Sequence, residues 1–359
     1  MKRLICFLPF FAHGGAEKAA LNLCNNLINT YDVTIILLNK KNLPLDQLSS
    51  KIKTISLNKK RLINSIFSLA YYIIKLKPKY LISFLYSANV ISTISKLISI
   101  NPVKLIFGVQ NNFSQTIKNT SSIRTIFSLY LFRYATFFST KIITCSLGLK
   151  NEIKEICFNK KQVYFVYNPI IDKDFFSRSS KFDKDISLFN GNYKNILSIG
   201  RFEKQKNFDF LLRSFKKLNI NSDYKLFLIG KGSLETELKK LCRKLNIMSD
   251  VTFLGEKKNV NIFLKRCDYF VLTSNWEGFG NVLVEALYFD KKIISSNCKY
   301  GPSEILKNGK LGKLYKMNNF LDFKKQFKNF HNKKTILKRD LKNFYSSQVA
   351  KNYIKVIEK

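Results

Sequence analysis

The residues best placed to do chemistry fall in one stretch, Ser274-Asn275-Trp276-Glu277-Gly278-Phe279-Gly280-Asn281-Val282-Leu283-Val284-Glu285-Ala286-Leu287. An apolar run ends at Leu272, a glycine-rich turn follows, and Asn281 has the side chain of an N-cap for a helix beginning at Val282. The unpaired N–H groups and positive dipole of such a helix start bind anions and hydroxyls. Phe279, Gly280, Asn281 and Val282 frame that start. Glu277 enters it from before the turn, and Glu285 sits one turn into the helix. Two carboxylates eight residues apart beside a phosphate-binding helix end suit the hydroxyls of a sugar nucleotide.

Two other segments could add to such a site. Arg201 and Lys206 lie just beyond the apolar run Asn195–Ile199. One is a bidentate fork and the other a point charge, and both suit a diphosphate. Gly14-Gly15 follows the first apolar run and opens a helical pattern. Backbone there could approach a phosphate or sugar closely, or simply make a tight turn.

Elements must hold these loops in place. The chain alternates short apolar runs with helical stretches, the pattern of parallel sheets in α/β domains. In the first half the expected strands are Leu4–Leu8, Val33–Leu38, Tyr80–Phe84, Lys104–Val109, Lys141–Cys145 and Val163–Val166, with helical stretches between them, for example Ala16–Ile28, Leu62–Lys75 and Ile123–Thr136. A break follows at Asn168-Pro169, and the polar segment Asp172–Lys194 reads as a connection. A second series has strands at Asn195–Ile199, Tyr224–Ile229, Val251–Leu254, Tyr269–Leu272 and Lys291–Ser295. Its helices are Phe208–Leu218, Leu234–Leu245, Val260–Arg266 and Val282–Tyr288. The expected domains are 1–170, 171–335 and a helical 336–359 packing back toward the first. Ligands of such sheets bind at the carboxyl ends of the strands.

Composition excludes several classes. With 359 residues, 46% hydrophobic and 14% aromatic, the chain can build two cores and is not disordered. Seven scattered cysteines without C-x-x-C spacing read as reduced thiols of a cytoplasmic protein. With His13 and His331 the only histidines, a His-built metal cluster or triad is nearly ruled out. Lys2-Arg3 followed by Leu4–Ala12 imitates a signal peptide but reads as a buried strand, since a helix pattern follows directly. No run is long and apolar enough for a membrane span.

The net charge of +38 points to a polyanionic partner. Residues 47–151 hold 15 Lys and Arg and no Asp or Glu. An A+T-rich gene would account for part of this, given the abundance of Lys, Asn, Ile and Phe. Lys59-Lys60-Arg61 before Leu62-Ile63 and Ile66-Phe67, and the stretch 124–138, form aromatic helices with basic flanks that could lie on an anionic membrane. Part of those apolar stripes must pack on the sheet. A nucleic-acid-binding protein would explain the charge but leaves EGFGNVLVE without a purpose.

Glu277, seven intervening residues and Glu285, within EGFGNVLVEAL, resemble the E-x7-E element of retaining glycosyltransferases of the GT-B fold, specifically glycosyltransferase family 4 (group 1). Ser198-Ile199-Gly200-Arg201-Phe202-Glu203-Lys204-Gln205-Lys206-Asn207 is similar to that family's diphosphate-holding segment, and Gly14-Gly15-Ala16-Glu17 to its N-terminal glycine loop. Leu228-Ile229-Gly230-Lys231-Gly232 and Val251-Thr252-Phe253-Leu254-Gly255 resemble strands beside the nucleoside pocket. Tyr300-Gly301-Pro302-Ser303-Glu304-Ile305-Leu306 resembles a loop of enzymes that build lipid-linked glycans and surface polysaccharides. The likeness is dense over 195–310 and sparse over 40–140.

The resemblance implies an α/β GT-B fold, two Rossmann-like domains facing each other across a cleft. It implies a sugar moved from a nucleoside diphosphate, UDP-linked, to a polyprenyl-linked glycan, with retention of configuration and no metal or other cofactor. Glu277, Arg201 and Lys206 would be catalytic. Gly14, Gly15, Phe279, Gly280, Asn281, Val282 and Glu285 would bind the donor, with Glu285 on the ribose. A GDP-sugar or phosphorylase-like donor is the neighbouring alternative. The implied location is the inner face of the cytoplasmic membrane, as a peripheral protein.

Many relatives carry a His late in the first domain's central strands. Here those places read Ser83-Phe84-Leu85 and Gly108-Val109-Gln110-Asn111-Asn112. The contact to the reacting centre then falls to Gln110, Asn111 or His13, or to backbone alone. Asp172-Lys173-Asp174 and Asp183-Lys184-Asp185 imitate a D-x-D metal motif but fall in the polar connection, and read as solvated charge.

Overall fold

A computed structural model describes residues 1–11, 14–41, 43–120, 122–180, 182–218, 223–330 and 335–359. His13 and His331 lie outside the described residues. The chain divides into two compact units, one of Met1–Ile170 with Asn343–Lys359 and one of Ile171–Lys342.

The first unit holds the parallel strands β1 (Lys2–Phe7), β2 (Tyr31–Leu37), β3 (Lys53–Ser56), β4 (Tyr80–Phe84), β5 (Lys104–Val109), β6 (Lys141–Thr144) and β7 (Val163–Phe165). They pair in the order β3-β2-β1-β4-β5-β6-β7. Parallel neighbours need crossover helices. These are α1 (Gly15–Leu27), α2 (Ile66–Leu76), α3 (Tyr86–Ser99), the short α4 (Phe113–Asn119), α5 (Ile123–Phe138) and α6 (Leu147–Ile156). The central strands are buried, all five residues of β4 among them, so they read as unbroken apolar runs and not as alternation.

Helix α3 lies between two expected strands, where the alternating pattern calls for a helix. Its Ser, Thr and Ile content argues weakly against helix, yet α3 packs against both α2 and α5 and buries nine side chains, so tertiary contact overrides propensity. Strand β3 lacked a signal, being four residues long and only partly covered.

The second unit holds β8 (Lys194–Ile199), β9 (Tyr224–Ile229), β10 (Val251–Gly255), β11 (Tyr269–Leu272), β12 (Lys292–Ser296) and β13 (Lys313–Tyr315), parallel in the order β10-β9-β8-β11-β12-β13. Its helices are α7 (Phe208–Leu218), α8 (Glu235–Lys244), α9 (Asn261–Arg266), α10 (Asn281–Tyr288), α11 (Pro302–Ile305) and α12 (Phe320–Lys328). The last helix, α13 (Ser346–Glu358), returns to the first unit and packs along α1. The rest of the basic tail is not continuous helix: a 3₁₀ stretch, Lys338–Phe344, precedes α13.

The expected connection 172–194 is instead part of the second unit. Two 3₁₀ turns, Ser177–Ser180 and Lys184–Phe189, pack on α9. Phe175 is buried between Tyr288 and Phe289, and Phe189 stacks on Phe227 at 4.0 Å. Periodicity is absent because two aromatic anchors hold this segment, not a helical face.

In each sheet the chain starts centrally and reverses direction once, between β1 and β4 and between β8 and β11. Loops leaving the carboxyl ends of such a pair emerge side by side and open a crevice. In the second unit those loops are 200–207 and 273–280.

Candidate active site

The 200–207 loop leaves β8 and is pinned by backbone bonds. Gly200 N–H donates to Ile229 O (3.0 Å), Phe202 N–H to Lys231 O (2.9 Å) and Leu234 N–H to Phe202 O (3.0 Å). Phe202 is fully buried, and the Glu203 carboxylate accepts from the amide (2.9 Å) and hydroxyl (2.8 Å) of Ser233. Gly230, at φ +151°, passes so close to the Gly200 carbonyl that no side chain fits. These contacts explain the two glycines of Leu228-Ile229-Gly230-Lys231-Gly232, since Gly232 meets Phe202 backbone in the same way.

The loop after β11 is stitched onto this one. Thr273 Oγ1 donates to Lys206 O (2.9 Å), Asn275 N–H to Gln205 O (2.8 Å) and Asn275 Nδ2 to Lys204 O (2.8 Å). Gln205 Nε2 donates to Trp276 O (3.0 Å), and Asn207 Nδ2 to Asn275 Oδ1 (3.1 Å). On its other side the loop pairs with the segment after β12. Glu277 N–H donates to Lys299 O (2.7 Å) and Tyr300 N–H returns to Glu277 O (3.1 Å). Trp276 is half-buried in this short bridge.

Glu277 is thereby fixed at the backbone, and its carboxylate is 5% exposed. Oε1 accepts from Lys206 Nζ (2.5 Å) and Ser274 Oγ (2.6 Å). A buried carboxylate requires such partners. Burial, and then the Glu277 charge, push the neighbouring Cys298 thiol up to about 12. Arg201 stands exposed, with only a long 3.5 Å approach of Nη2 to Gln205 Oε1.

Gly280 precedes α10 in the left-handed conformation, φ +99°. It is the N-cap and Asn281 the first helical residue, which corrects the expectation that the Asn281 side chain caps a helix from Val282. The reason lies next door. Gly301 presses against the Phe279 carbonyl with no space for a Cβ, so the chain must turn sharply one residue earlier. In the first turn of α10 Leu283 N–H donates to Gly280 O (2.9 Å), and the start of a helix carries a positive dipole. Phe279 is buried, and Asn281 and Val282 are partly exposed at this opening. Glu285 is 6% exposed on an otherwise apolar helix.

The structure therefore gathers Arg201, Lys206, Glu277, Phe279, Gly280, Asn281, Val282 and Glu285 in the second unit, on the two loops of one switch point and the helix that follows. The sequence reading missed the pairing of Lys206 with Glu277 and the roles of Ser274, Gln205, Asn207 and Asn275. These residues lay inside the singled-out segments, but spacing does not reveal which of two loops a side chain crosses to.

Gly14, Gly15, Gln110 and Asn111 belong to the first unit. Gly14 is the N-cap of α1 with extended backbone, φ −72° and ψ 165°, and the Glu17 carboxylate lies over it, close to where a Cβ would stand. Gln110 is buried and Asn111 exposed. Their loop is held by Tyr86 Oη on Asn111 O (2.5 Å) and by Glu152, which accepts from Phe113 N–H (3.1 Å), Ser114 N–H (3.0 Å) and Ser114 Oγ (2.5 Å).

Of the two D-x-D pairs, Asp174 stands exposed as expected, while the other three aspartates make ion pairs. Asp172 meets Arg178 at 3.0 Å, and Asp183 and Asp185 share Lys257 at 3.0 and 2.5 Å. Among the described residues no group of three or more His, Cys, Asp or Glu is arranged to hold a metal.

Residues 179–345 match the family model for glycosyl transferases group 1. An uncharacterized glycosyltransferase of Methanocaldococcus jannaschii is 33% identical over 239 residues, 64% of this chain and 58% of that protein. The GalNAc-α-(1→4)-GalNAc-α-(1→3)-diNAcBac-PP-undecaprenol α-1,4-N-acetyl-D-galactosaminyltransferase of Campylobacter jejuni is 26% identical over 99% of this chain and 98% of its own. Over the first curated relatives the match spans only 58%, 54% and 51% of their length. The structure of Anabaena Alr3699/HepE with UDP-glucose superposes with a TM-score of 0.76 at 16% identity, over 99% of this chain and 96% of that one. The fold is α/β of the GT-B type, with two parallel sheets of seven and six strands, and the match to the glycosyl transferases group 1 model falls largely on the second unit.

Proposed function

We propose that this chain is a glycosyltransferase that moves a sugar from a nucleoside diphosphate donor, UDP-linked, to a lipid-carried glycan, with retention of configuration and without a metal. One observation carries the reading: Lys206 pairs with Glu277 where the second sheet reverses, on the loop that leads into the N-terminus of α10. Phosphate charge and sugar hydroxyls need those groups side by side.

The bond from the anomeric carbon to the β-phosphate oxygen breaks while the acceptor oxygen bonds that carbon from the same face. The acceptor proton passes to the leaving phosphate oxygen. Arg201, Lys206 and the α10 amides stabilise the charge that develops there. Lys206 is shared between Glu277 and the diphosphate, Glu277 orients the sugar and Glu285 holds the ribose. The UDP-glucose bound in the Anabaena structure supports a UDP-linked donor. The undecaprenol diphosphate in the Campylobacter enzyme's name supports a lipid-carried acceptor. Such an acceptor would put the protein on the inner face of the cytoplasmic membrane. With Asp172 engaged by Arg178, and Asp183 and Asp185 by Lys257, the charge on the leaving group is met by cationic side chains.

A panel of sugar nucleotides, scored by release of free nucleoside diphosphate with and without acceptor, tests this. The expected result is release from a UDP-sugar that survives a chelator and falls on Arg201→Ala by on the order of 2–4 kcal/mol in barrier height. Preference for a GDP-sugar moves the donor assignment. Loss of turnover in chelator, rescued by Mg²⁺ or Mn²⁺, overturns metal independence. No release from any donor overturns the reading.

A further inference from the structure

We propose that the outward faces of α5 and α2 are a docking surface for an anionic lipid bilayer; the purpose of this surface rests on the lipid-carried acceptor proposed above. Helix α5 has two opposite apolar faces. Leu129, Phe132 and Ala135 turn inward and are buried. Ile123, Phe127, Tyr130, Tyr134 and Phe137 recur at helical spacing on the other side, each between 59% and 82% exposed. Single exposed apolar residues are ordinary, but five in register along one helix are not.

Helix α2 repeats the arrangement. Leu69, Ala70 and Ile73 face inward, while Ile63 just before the helix, and Phe67, Tyr71 and Ile74 on it, are each more than half exposed. The two helices flank α3, which packs against both. The apolar stripes that the sequence left divisible between sheet packing and membrane are thus divided by face.

Charge selects the occupant. Residues 47–151 carry 15 Lys and Arg and no carboxylate, and both helices lie within that span. Lys59, Lys60 and Arg61 lead into α2, and Arg124 and Arg133 stand exposed on α5. Where α2 and α3 end, Lys77, Lys79 and Lys104 line a pocket of about 410 Å³. A second copy of the chain seated symmetrically on this face would set cation against cation. An anionic headgroup layer meets the cations and takes the Phe, Ile and Tyr side chains at the depth that amphipathic helices and aromatic belts occupy. Among the described residues no helix is long and apolar enough to cross a membrane, so the contact would be a shallow one.

The test is flotation of the full chain with vesicles of phosphatidylcholine alone or with roughly one-third phosphatidylglycerol, at low and high salt. Beside the wild type stand a variant with Phe127, Tyr130 and Tyr134 changed to Ser and another with Lys59, Lys60 and Arg61 changed to Ser. All six positions are outside the transfer site, and circular dichroism and UDP binding check that each variant is folded. Wild type should float at least about tenfold better on anionic than on neutral vesicles at low salt. The aromatic variant should fall off both vesicle types at both salts, and the basic variant should lose only the low-salt preference. Equal flotation on neutral and anionic lipid, no flotation, or an aromatic variant that floats like wild type overturns the proposal. So does a concentration-dependent dimer abolished by the aromatic variant, which assigns the face to a second copy. Sugar-nucleotide hydrolysis measured without vesicles separates the two readings. Flotation without turnover of any donor removes the transferase and leaves this surface, and turnover without flotation does the reverse.

Discussion

The Lys206–Glu277 pair sets the character of the site. Both side chains are largely buried, so each charge depends on the other and on Ser274 for what water no longer supplies. Glu277→Ala should strand the ammonium and cost about 3 kcal/mol of stability in denaturant unfolding. Combined with Lys206→Met it should cost less than the sum of the two, with a coupling of about 1–3 kcal/mol. Additive losses would mean the pair is incidental. In UDP calorimetry, Glu285→Gln should weaken binding more than Glu277→Gln, whose proposed partner is the sugar. The last residues offer a second test. The Lys2 ammonium at 2.6 Å, then the Tyr31 hydroxyl, hold the Glu358 carboxyl down to about 2 from its usual 4.5. A carboxyl depressed on folding stabilises above its unfolded value and loses that effect as the pH falls through the folded one. Wild type should therefore be more stable than Glu358→Gln in denaturant unfolding at neutral pH, by under about 1 kcal/mol because the carboxylate is exposed. The difference should close between pH 4.5 and about 2. A gap independent of pH would rule out the ion pair as its source.

At the scale of elements, loops carry the site and strands decide where loops go. The short α4 shows how such a loop is stiffened. Glu152, buried on α6, reaches the amides of Phe113 and Ser114 at its start, and Asn112 caps it through Gln115 N–H at 2.9 Å. Carboxylate on unpaired helix amides is favourable twice over, as hydrogen bond and as charge on a dipole. Glu152→Gln should cost about 1–2 kcal/mol. It should also speed hydrogen exchange at Phe113 and Ser114, leaving the β9 amides of the other unit unchanged. Equal exchange in both proteins would show that the loop is held by packing alone. Because Gln110 and Asn111 lie just before α4, the same variant reports on whether their placement matters to turnover.

At the scale of the molecule, α13 completes the first unit from the far end of the chain. Val349, Ala350, Tyr353 and Ile357 join the core that β1, β2 and α1 build. Burying a large apolar side chain contributes roughly 1.5–3 kcal/mol, and whole domains are stable by only about 5–15. Removing residues 343–359 should unfold the first unit or drop its urea midpoint sharply while the transition of the second unit stays in place. A single unchanged transition would deny α13 that role.

Much of this was legible along the chain. The strands Tyr80–Phe84, Lys104–Val109, Tyr224–Ile229 and Tyr269–Leu272 stand where their apolar runs predicted, because strands buried on both faces in parallel sheets leave unbroken hydrophobic stretches. The segments around Arg201 and Glu277 stood out as glycine-bearing turns after apolar runs, and the structure puts both just beyond the carboxyl ends of β8 and β11. What the sequence could not supply depends on distant neighbours. That α3 is enclosed by α2 and α5 is one such feature. Asn281 lies inside α10 and does not cap it, because Gly301 and Phe279 crowd the turn. The bond between Lys206 and Glu277, 71 residues apart, follows from strand order alone: β8 and β11 are neighbours, so their loops meet. Amino-acid type and local spacing determined which residues were candidates for holding phosphate and sugar. Only the tertiary structure decided which of them touch, since contact across a sheet is set by strand pairing and not by distance along the chain.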